Sequence, residues 1–237
     1  MVDRGMAESR DRAKALVLEG KVLVSGIPAA KAGTMVAPDA LIEMKGGDIP
    51  YVGRGGLKLE AALEGFGINP GGMVAMDVGA STGGFTDCLL QRGALRVYAV
   101  DVGYGQFDWK LRNDARVVLL ERTNIRHLTP GGKVPEPVDI AVIDVSFISL
   151  KLVVPKVKEF LRSPGGFIVA LVKPQFEVGR ANVGKGGIVR DEDMRMKALE
   201  DVIVSVEECG LRVLGRMESP ITGQKGNIEY LIYAKEE

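Results

Sequence analysis

Histidine, cysteine and long apolar runs are what this chain has least of, and each shortage removes a class of function. Its 237 residues include one histidine, His127, and two cysteines, Cys88 and Cys209. A zinc site needs several such ligands together and a Ser-His-Asp relay needs a histidine beside its serine, so the parts for either are missing. The cysteines stand far apart in segments that read as helical. They are expected to be small buried residues of a reducing compartment, not a disulfide framework. The longest unbroken apolar run, Phe167 to Val172, is far too short to cross a bilayer. The charged start, Met1-Val2-Asp3-Arg4-Gly5, lacks the apolar core of a signal peptide. A soluble cytoplasmic protein that uses neither a metal nor a membrane is expected.

Net charge is also absent, with 31 basic residues against 31 acidic ones. Distribution says more than the sum. Between Lys151 and Arg190 there are eight basic residues and two acids, Glu159 and Glu177, and a local basic face can bind phosphates even on a neutral protein. For Lys156, Lys158 and Arg162 alone a solvated helix face is the better reading.

What the chain does have is glycine, 31 residues of it, within a 46% hydrophobic composition that suits a turn-rich α/β protein. The most informative run is Met73-Val-Ala-Met-Asp77-Val-Gly79-Ala-Ser81-Thr-Gly83-Gly84-Phe85-Thr-Asp87. An apolar segment ends in an acid and a glycine, and small residues lead straight into a helix. Such a strand, turn and helix N-terminus is where an α/β fold holds a nucleotide-like ligand. The spacing is Gly-x-Ser-x-Gly-Gly, not the Gly-x-Gly-x-x-Gly that cradles a pyrophosphate. With an acid just before it, the turn suits a cationic ligand without phosphates, and S-adenosylmethionine fits. Asp77, Gly79, Ser81, Gly83 and Phe85 are the residues expected to line it.

Val74–Val78, Val97–Val102, Val117–Leu120, Ile140–Val145 and Phe167–Val172 are dense β-branched runs, as in a sheet covered on both faces. Helices are predicted at Leu57–Phe66, Gly84–Arg92, Leu150–Leu161 and Asp191–Cys209, with late strands at Leu211–Met217 and Ile228–Ala234. Seven strands interleaved with helices predict a doubly wound, Rossmann-like sheet of the class I methyltransferase type. Before it, residues 1–46 form a separate small α+β pattern, and 47–53 read as a linker to a catalytic domain over 54–237. Ser9 can cap a helix carrying Ala13, Leu16 and Val17 on one face, Gly20 ends it, Lys21–Val24 alternates as a strand, and Ser25-Gly26 turns. This pattern resembles the small RNA-binding fold shared by a ribosomal protein, pseudouridine synthases and tyrosyl-tRNA synthetases, shortened at its front. The resemblance implies that Arg10, Arg12 and Lys14 touch RNA.

Asp101 ends the second strand, where an acid accepts hydrogen bonds from the ribose hydroxyls of an adenosine cofactor. An NAD enzyme places an acid there too, and a strand-end cap is a further alternative. Asn124, in Glu121-Arg-Thr-Asn124, is a candidate contact to the adenine edge. Asp144 ends the fourth strand and Lys173 the fifth, so both point at the ligand crevice. A lysine finishing an apolar central strand is costly to bury unless paired, and Asp144 is its natural partner, in a catalytic or a purely structural pair. The glycine-rich run Val178–Arg190 carries Arg180, Lys185 and Arg190 and suits a lid over RNA phosphates.

Arg54-Gly-Gly-Leu-Lys58-Leu, the Asp77–Asp87 run, Asp101-Val-Gly-Tyr-Gly105-Gln, Glu121-Arg-Thr-Asn124, Ile143-Asp144-Val-Ser-Phe, Val172-Lys173-Pro-Gln-Phe-Glu177 and Lys225-Gly-Asn-Ile-Glu229-Tyr together resemble the TlyA (haemolysin A-like) family. These are ribosomal RNA 2′-O-methyltransferases with an FtsJ-type catalytic domain. The resemblance covers almost the whole chain and departs from the family's pattern at Gly53, where serine is usual. It implies S-adenosylmethionine as cofactor and ribosomal RNA within ribosomal subunits as partner, with Arg54 among the RNA contacts. It also carries a Lys-Asp-Lys-Glu tetrad to Lys58, Asp144, Lys173 and Glu229, with Asp144 also beside the cofactor. Cytidine is the target the family implies. A non-catalytic RNA-binding or ribosome-assembly factor and a pore-forming protein are the weaker readings.

Overall fold

A computed structural model describes the chain apart from residues 8, 9, 19, 30, 38, 45–48, 180, 181 and 237; the side chains of 11, 12, 15, 44 and 224 also lie outside it. The chain divides into two compact units, Met1–Pro50 and Tyr51–Glu237.

In the first unit, α1 (Arg10–Leu18) precedes a three-stranded antiparallel sheet of order β2-β1-β3, formed by β1 (Val22–Val24), β2 (Ile27–Pro28) and β3 (Ile42–Met44). Leu16 and Val22 are the buried side chains among its described residues. Ser25 and Gly26 both take left-handed backbone angles, φ 49° and 79°. They make the two-residue hairpin turn that pairs Val24 with Ile27. The predicted cap, Ser9, lies outside the described residues.

The second unit is a seven-stranded sheet flanked by helices. In chain order it comprises α2 (Gly55–Gly65), β4 (Val74–Val78), α3 (Gly84–Gln91), β5 (Arg96–Val100), α4 (Trp109–Arg112), β6 (Val117–Leu120), β7 (Ile140–Ile143), α5 (Val154–Lys158), β8 (Phe167–Val172), α6 (Pro174–Glu177), α7 (Glu192–Glu208), β9 (Leu211–Glu218) and β10 (Tyr230–Glu236). The sheet order is β6-β5-β4-β7-β8-β10-β9, with β10 antiparallel to both neighbours. β4, β7 and β8 are buried at every position, as central parallel strands covered on both faces must be. The edge strand β9 instead alternates between its two faces. This is the doubly wound fold the residue pattern predicts. Strand order reverses between β4 and β7, so the crevice of the fold opens at their carboxyl ends.

Several predicted bounds are corrected. The second strand stops at Val100, leaving Asp101 just beyond the ladder and Val102 exposed. The fourth stops at Ile143, one residue before Asp144. The predicted helix Leu150–Leu161 is a 3-10 turn, Leu150–Leu152, followed by the short α5. Its end is drawn into sheet-like pairing: Val138 donates to the Phe160 carbonyl and accepts from Arg162, bridging Leu161 to Val138. The last strand opens at Tyr230, not Ile228.

Entry to the second unit is firmly anchored. Tyr51 is buried and donates to Glu60 Oε1 at 2.7 Å, and the Val52 amide donates to Asp87 Oδ2 at 2.8 Å. Lys158 and Arg162, on the basic stretch, are spent on structure, Lys158 on the Cys209 carbonyl and Arg162 on Asp139.

Candidate active site

The β4–α3 turn is shaped by close contacts that exclude side chains. Gly79 has φ 90°, and a Cβ there would run into the carbonyl of Asp144. Gly84 meets the backbone of Gly53 and Gly56, which brings the α2 and α3 helices close together. The turn leans toward β5: the Gly79 and Ala80 amides donate to the Val100 carbonyl, and the Ser81 amide to Asp101 Oδ2 at 2.6 Å.

Asp77 is fully buried beneath this turn. Its Oδ2 accepts from Thr86 Oγ1 at 2.6 Å, and its Oδ1 has no protein partner. Burial pushes the carboxyl up to about 7; the charges of Asp144 and Asp101 add to this and the Thr86 hydroxyl opposes it. Asp101 also accepts the Gly103 amide at 2.6 Å on its other oxygen. It therefore caps two turns, yet a carboxylate's four acceptor positions leave room for further donors.

Four other ionisable groups meet at the same edge. Lys58 Nζ lies 2.5 Å from Glu229 Oε2, and Lys173 Nζ lies 2.6 Å from Asp144 Oδ1. The antiparallel register of β10 against β8, with Tyr230 opposite Val172, carries Glu229 to the level of Lys173. Lys58 sits on α2, where the glycine contacts press that helix toward the crevice. A Cβ on Gly55 would come within 3.9 Å of Asp144 Oδ2. Lys58, Lys173 and Glu229 are 8%, 9% and 2% exposed, so these are desolvated charges. Glu229 is not the solvent-facing strand residue that its position near the chain's end suggests, nor is Lys58 a surface lysine. Lys173 also donates to Ser146 Oγ at 2.8 Å, so its Nζ is held by Asp144 and Ser146 together.

Two residues without an assigned role in the sequence join this group. Ser146 follows Asp144 by two positions and Gln175 follows Lys173 by two. The Gln175 amide reaches Glu229 Oε1 at 3.5 Å, while its own Oε1 is buried without a partner. Proximity to the two chemistry-bearing strand ends was the available signal. Beside them Phe147, 89% exposed at φ 64°, lies against Phe176 with ring centroids 5.1 Å apart.

The Phe85 ring is buried between α2 and α3, where a Cβ on Gly55 would meet it at 3.3 Å and Asp144 Oδ2 at 3.9 Å, so it borders the same crevice. Asn124 Oδ1 caps the 3-10 turn Ile125–His127, and Glu121 grips Arg112 through both oxygens. Arg54 donates to the Thr222 carbonyl at 2.7 Å. Lys185 and Arg190 are exposed on the loop after α6, and Arg10 and Lys14 are exposed on α1 of the first unit. Arg180 and the Arg12 side chain lie outside the described residues.

A glycine turn over a buried acid, flanked by two lysines each paired with an acid at the switch point of the β6-β5-β4-β7-β8-β10-β9 sheet, is a methyltransferase arrangement, and residues 51–236 match the FtsJ-like methyltransferase family. The chain belongs to that family. Within it, the 16S/23S rRNA (cytidine-2′-O)-methyltransferase TlyA of Mycobacterium tuberculosis is 47% identical over 239 residues, covering 99% of this chain and 87% of that one. Hemolysin A of Brachyspira hyodysenteriae is 44% identical over 229 residues, covering 97% and 95%. A solved structure from Streptococcus thermophilus, also named as a hemolysin, superposes with a TM-score of 0.81 at 44% identity, covering 99% and 85%. This methyltransferase is thus of the TlyA type. Among its described residues no helix is long and apolar enough to cross a membrane.

Proposed function

We propose that this protein transfers a methyl group from S-adenosylmethionine to the 2′-hydroxyl of cytidine in ribosomal RNA. The observation that carries the reading is the meeting of two ion pairs, the buried Lys58–Glu229 and the partly buried Lys173–Asp144, at the edge of the glycine turn.

The residues around the turn fit the cofactor. Asp77 offers an unpartnered buried oxygen, Asp101 holds acceptor capacity for ribose hydroxyls, and Gly79 lets the turn pass directly against the Asp144 backbone. A ligand bearing an ammonium and a sulfonium matches these carboxylates, whereas a pyrophosphate would meet repulsion. When bound, S-adenosylmethionine supplies a methyl group already electrophilic on positively charged sulfur.

The chain's own work is then positional and electrostatic. Lys173, acting as the neutral amine, directs the 2′-oxygen and takes up its proton, and Asp144 and Ser146 hold the ammonium so formed. Lys58, locked to Glu229, orients the ribose, with Gln175 setting the second oxygen of that glutamate. No covalent intermediate with the protein is needed. Arg54, Lys185, Arg190 and Arg180 hold phosphates near the reacting nucleotide. The first unit, with Arg10, Arg12 and Lys14, serves as an RNA-binding module, so the partner is ribosomal RNA within ribosomal subunits and the place of action is the cytoplasm.

The test is methyl transfer from labelled cofactor to small and large subunits purified from cells lacking the gene, followed by mapping of ribose methylation. Label at a single cytidine 2′-oxygen in one or both subunits is expected. Label on a base, or none on any RNA, would overturn the reading.

A further inference from the structure

The loop after α6 has its own fastening, and that fastening is next to Glu229. Asn227 is 3% exposed. Its side-chain Oδ1 accepts from the Val189 amide at 3.1 Å and its Nδ2 donates to the Gly187 carbonyl at 2.9 Å. One side chain thus offers the loop a donor and an acceptor, as a neighbouring strand would. The loop is folded to receive them. Gly184 pairs with Ile188, the Gly187 amide donates to the Gly184 carbonyl, and Gly187 takes φ 81°. From the other side Arg195 donates to the Arg190 carbonyl at 2.6 Å and reaches that of Val189 at 3.4 Å. Between these fastenings the side chains of Lys185 and Arg190 are left exposed. The ammonium of Lys225, two residues before Asn227, sits beside Gly187, 3.7 Å from where a Cβ there would be.

We infer that Asn227 is a positioning residue that latches the 184–190 loop so that its cations present a preformed phosphate-binding surface to the RNA. The inference rests on the RNA methyltransferase reading and deepens it. Asn227 acts through the loop: its side chain bonds to loop backbone, and its carbonyl accepts from the Gly223 amide at 2.8 Å in its own turn. Glu229, two residues on, has fastenings that do not involve the Asn227 side chain, and the backbone carbonyl that holds Gly223 beside it is kept in any Asn227 variant. The Glu229 carbonyl is held by the Ser219 amide at 2.9 Å and its carboxylate by Lys58. Loss of the latch therefore separates RNA capture from chemistry. A loop ordered only on binding must be fixed at the expense of affinity, because its conformational entropy is lost at that step.

Asn227→Ala removes both hydrogen bonds. Asn227→Asp keeps the acceptor for Val189 and turns a repelling oxygen toward the Gly187 carbonyl. Two readouts apply to each variant, after unchanged S-adenosylmethionine affinity has verified the fold of the crevice. The first, independent of activity, is limited trypsin digestion of the full chain, read by mass spectrometry at Lys185 and Arg190. Both variants are expected to be cut there at least tenfold faster than the wild type, with cleavage elsewhere unchanged. The second is steady-state methylation of ribosomal subunits, in which KM for RNA rises about tenfold while kcat stays within threefold. Equal trypsin rates at the two sites, or a fall in kcat at constant KM, would overturn the latch. A variant that loses cofactor affinity is replaced by Arg195→Ala, which opens the same loop from its other fastening and carries the same expectations. Wild-type protein that methylates no RNA would instead refute the functional reading, and the trypsin result would still decide the latch.

Discussion

Asp77→Asn isolates the cost of keeping a carboxylate beneath the glycine turn. In the fold this carboxyl titrates at about 7 in place of 3.8, chiefly because burial strips water from the charged form. Between these values the folded chain holds a proton that the unfolded chain has already released. Stability therefore falls as pH rises through that window and is level above it. At ~1.4 kcal/mol per pH unit the loss is on the order of 4 kcal/mol. Asparagine has nearly the same volume, can accept the Thr86 hydroxyl and carries no charge, so the variant lacks this slope. Denaturant titrations from about pH 4 to about pH 8 are expected to show the stability difference, variant minus wild type, growing by roughly 4 kcal/mol. Cofactor binding runs the other way. A cationic ligand near Asp77 draws the proton off, and about three quarters of a group titrating at about 7 is protonated at about pH 6.5. Calorimetry in buffers of different ionisation enthalpy is expected to register release of about 0.7 proton per cofactor bound. The variant releases none and binds more weakly. Parallel stability curves for the two proteins, or binding by the wild type without proton release, would refute the reasoning.

Lys173→Ala is expected to lower kcat by a factor of about 10²–10⁴ with cofactor affinity retained, the usual range for a group that moves a proton; a loss under tenfold contradicts its role. Glu229→Gln leaves the Lys58 ammonium buried without its partner and is expected to destabilise by about 3–5 kcal/mol in denaturant titrations. Adding Lys58→Met recovers much of that loss, and strictly additive costs would show that the pair does not interact. Gly79→Ala forces a side chain into a φ of 90° against the Asp144 carbonyl. A loss of at least about 1–3 kcal/mol and of cofactor binding is expected; a change in stability under about 0.5 kcal/mol would mean that the turn relaxes freely.

The residues by themselves determined the alternation of strands and helices and the strand-turn-helix at Asp77–Phe85, because these depend on side-chain periodicity and on local backbone freedom. They also pointed Asp144 and Lys173 at the crevice, since a residue ending a central parallel strand has few other places to go. Element ends were less legible. The helix expected over Leu150–Leu161 breaks because its last turn is taken up by Val138, far away in the chain, and no local pattern carries that competition.

Tertiary structure alone decided which charges are buried and with whom. Lys58 has the sequence context of a surface lysine, and it is buried because glycines at 55 and 84 let two helices approach closely. Glu229 is brought to Lys58 across 171 residues by the antiparallel return of β10 between β8 and β9. The same closeness buries Phe85 between the two helices, against the point on Gly55 that also approaches Asp144. Asn227 gained its partners only when the 184–190 loop folded beside it. A sequence records which groups can pair. Distance and desolvation, which set the strength of a charge contact, exist only once the sheet has closed.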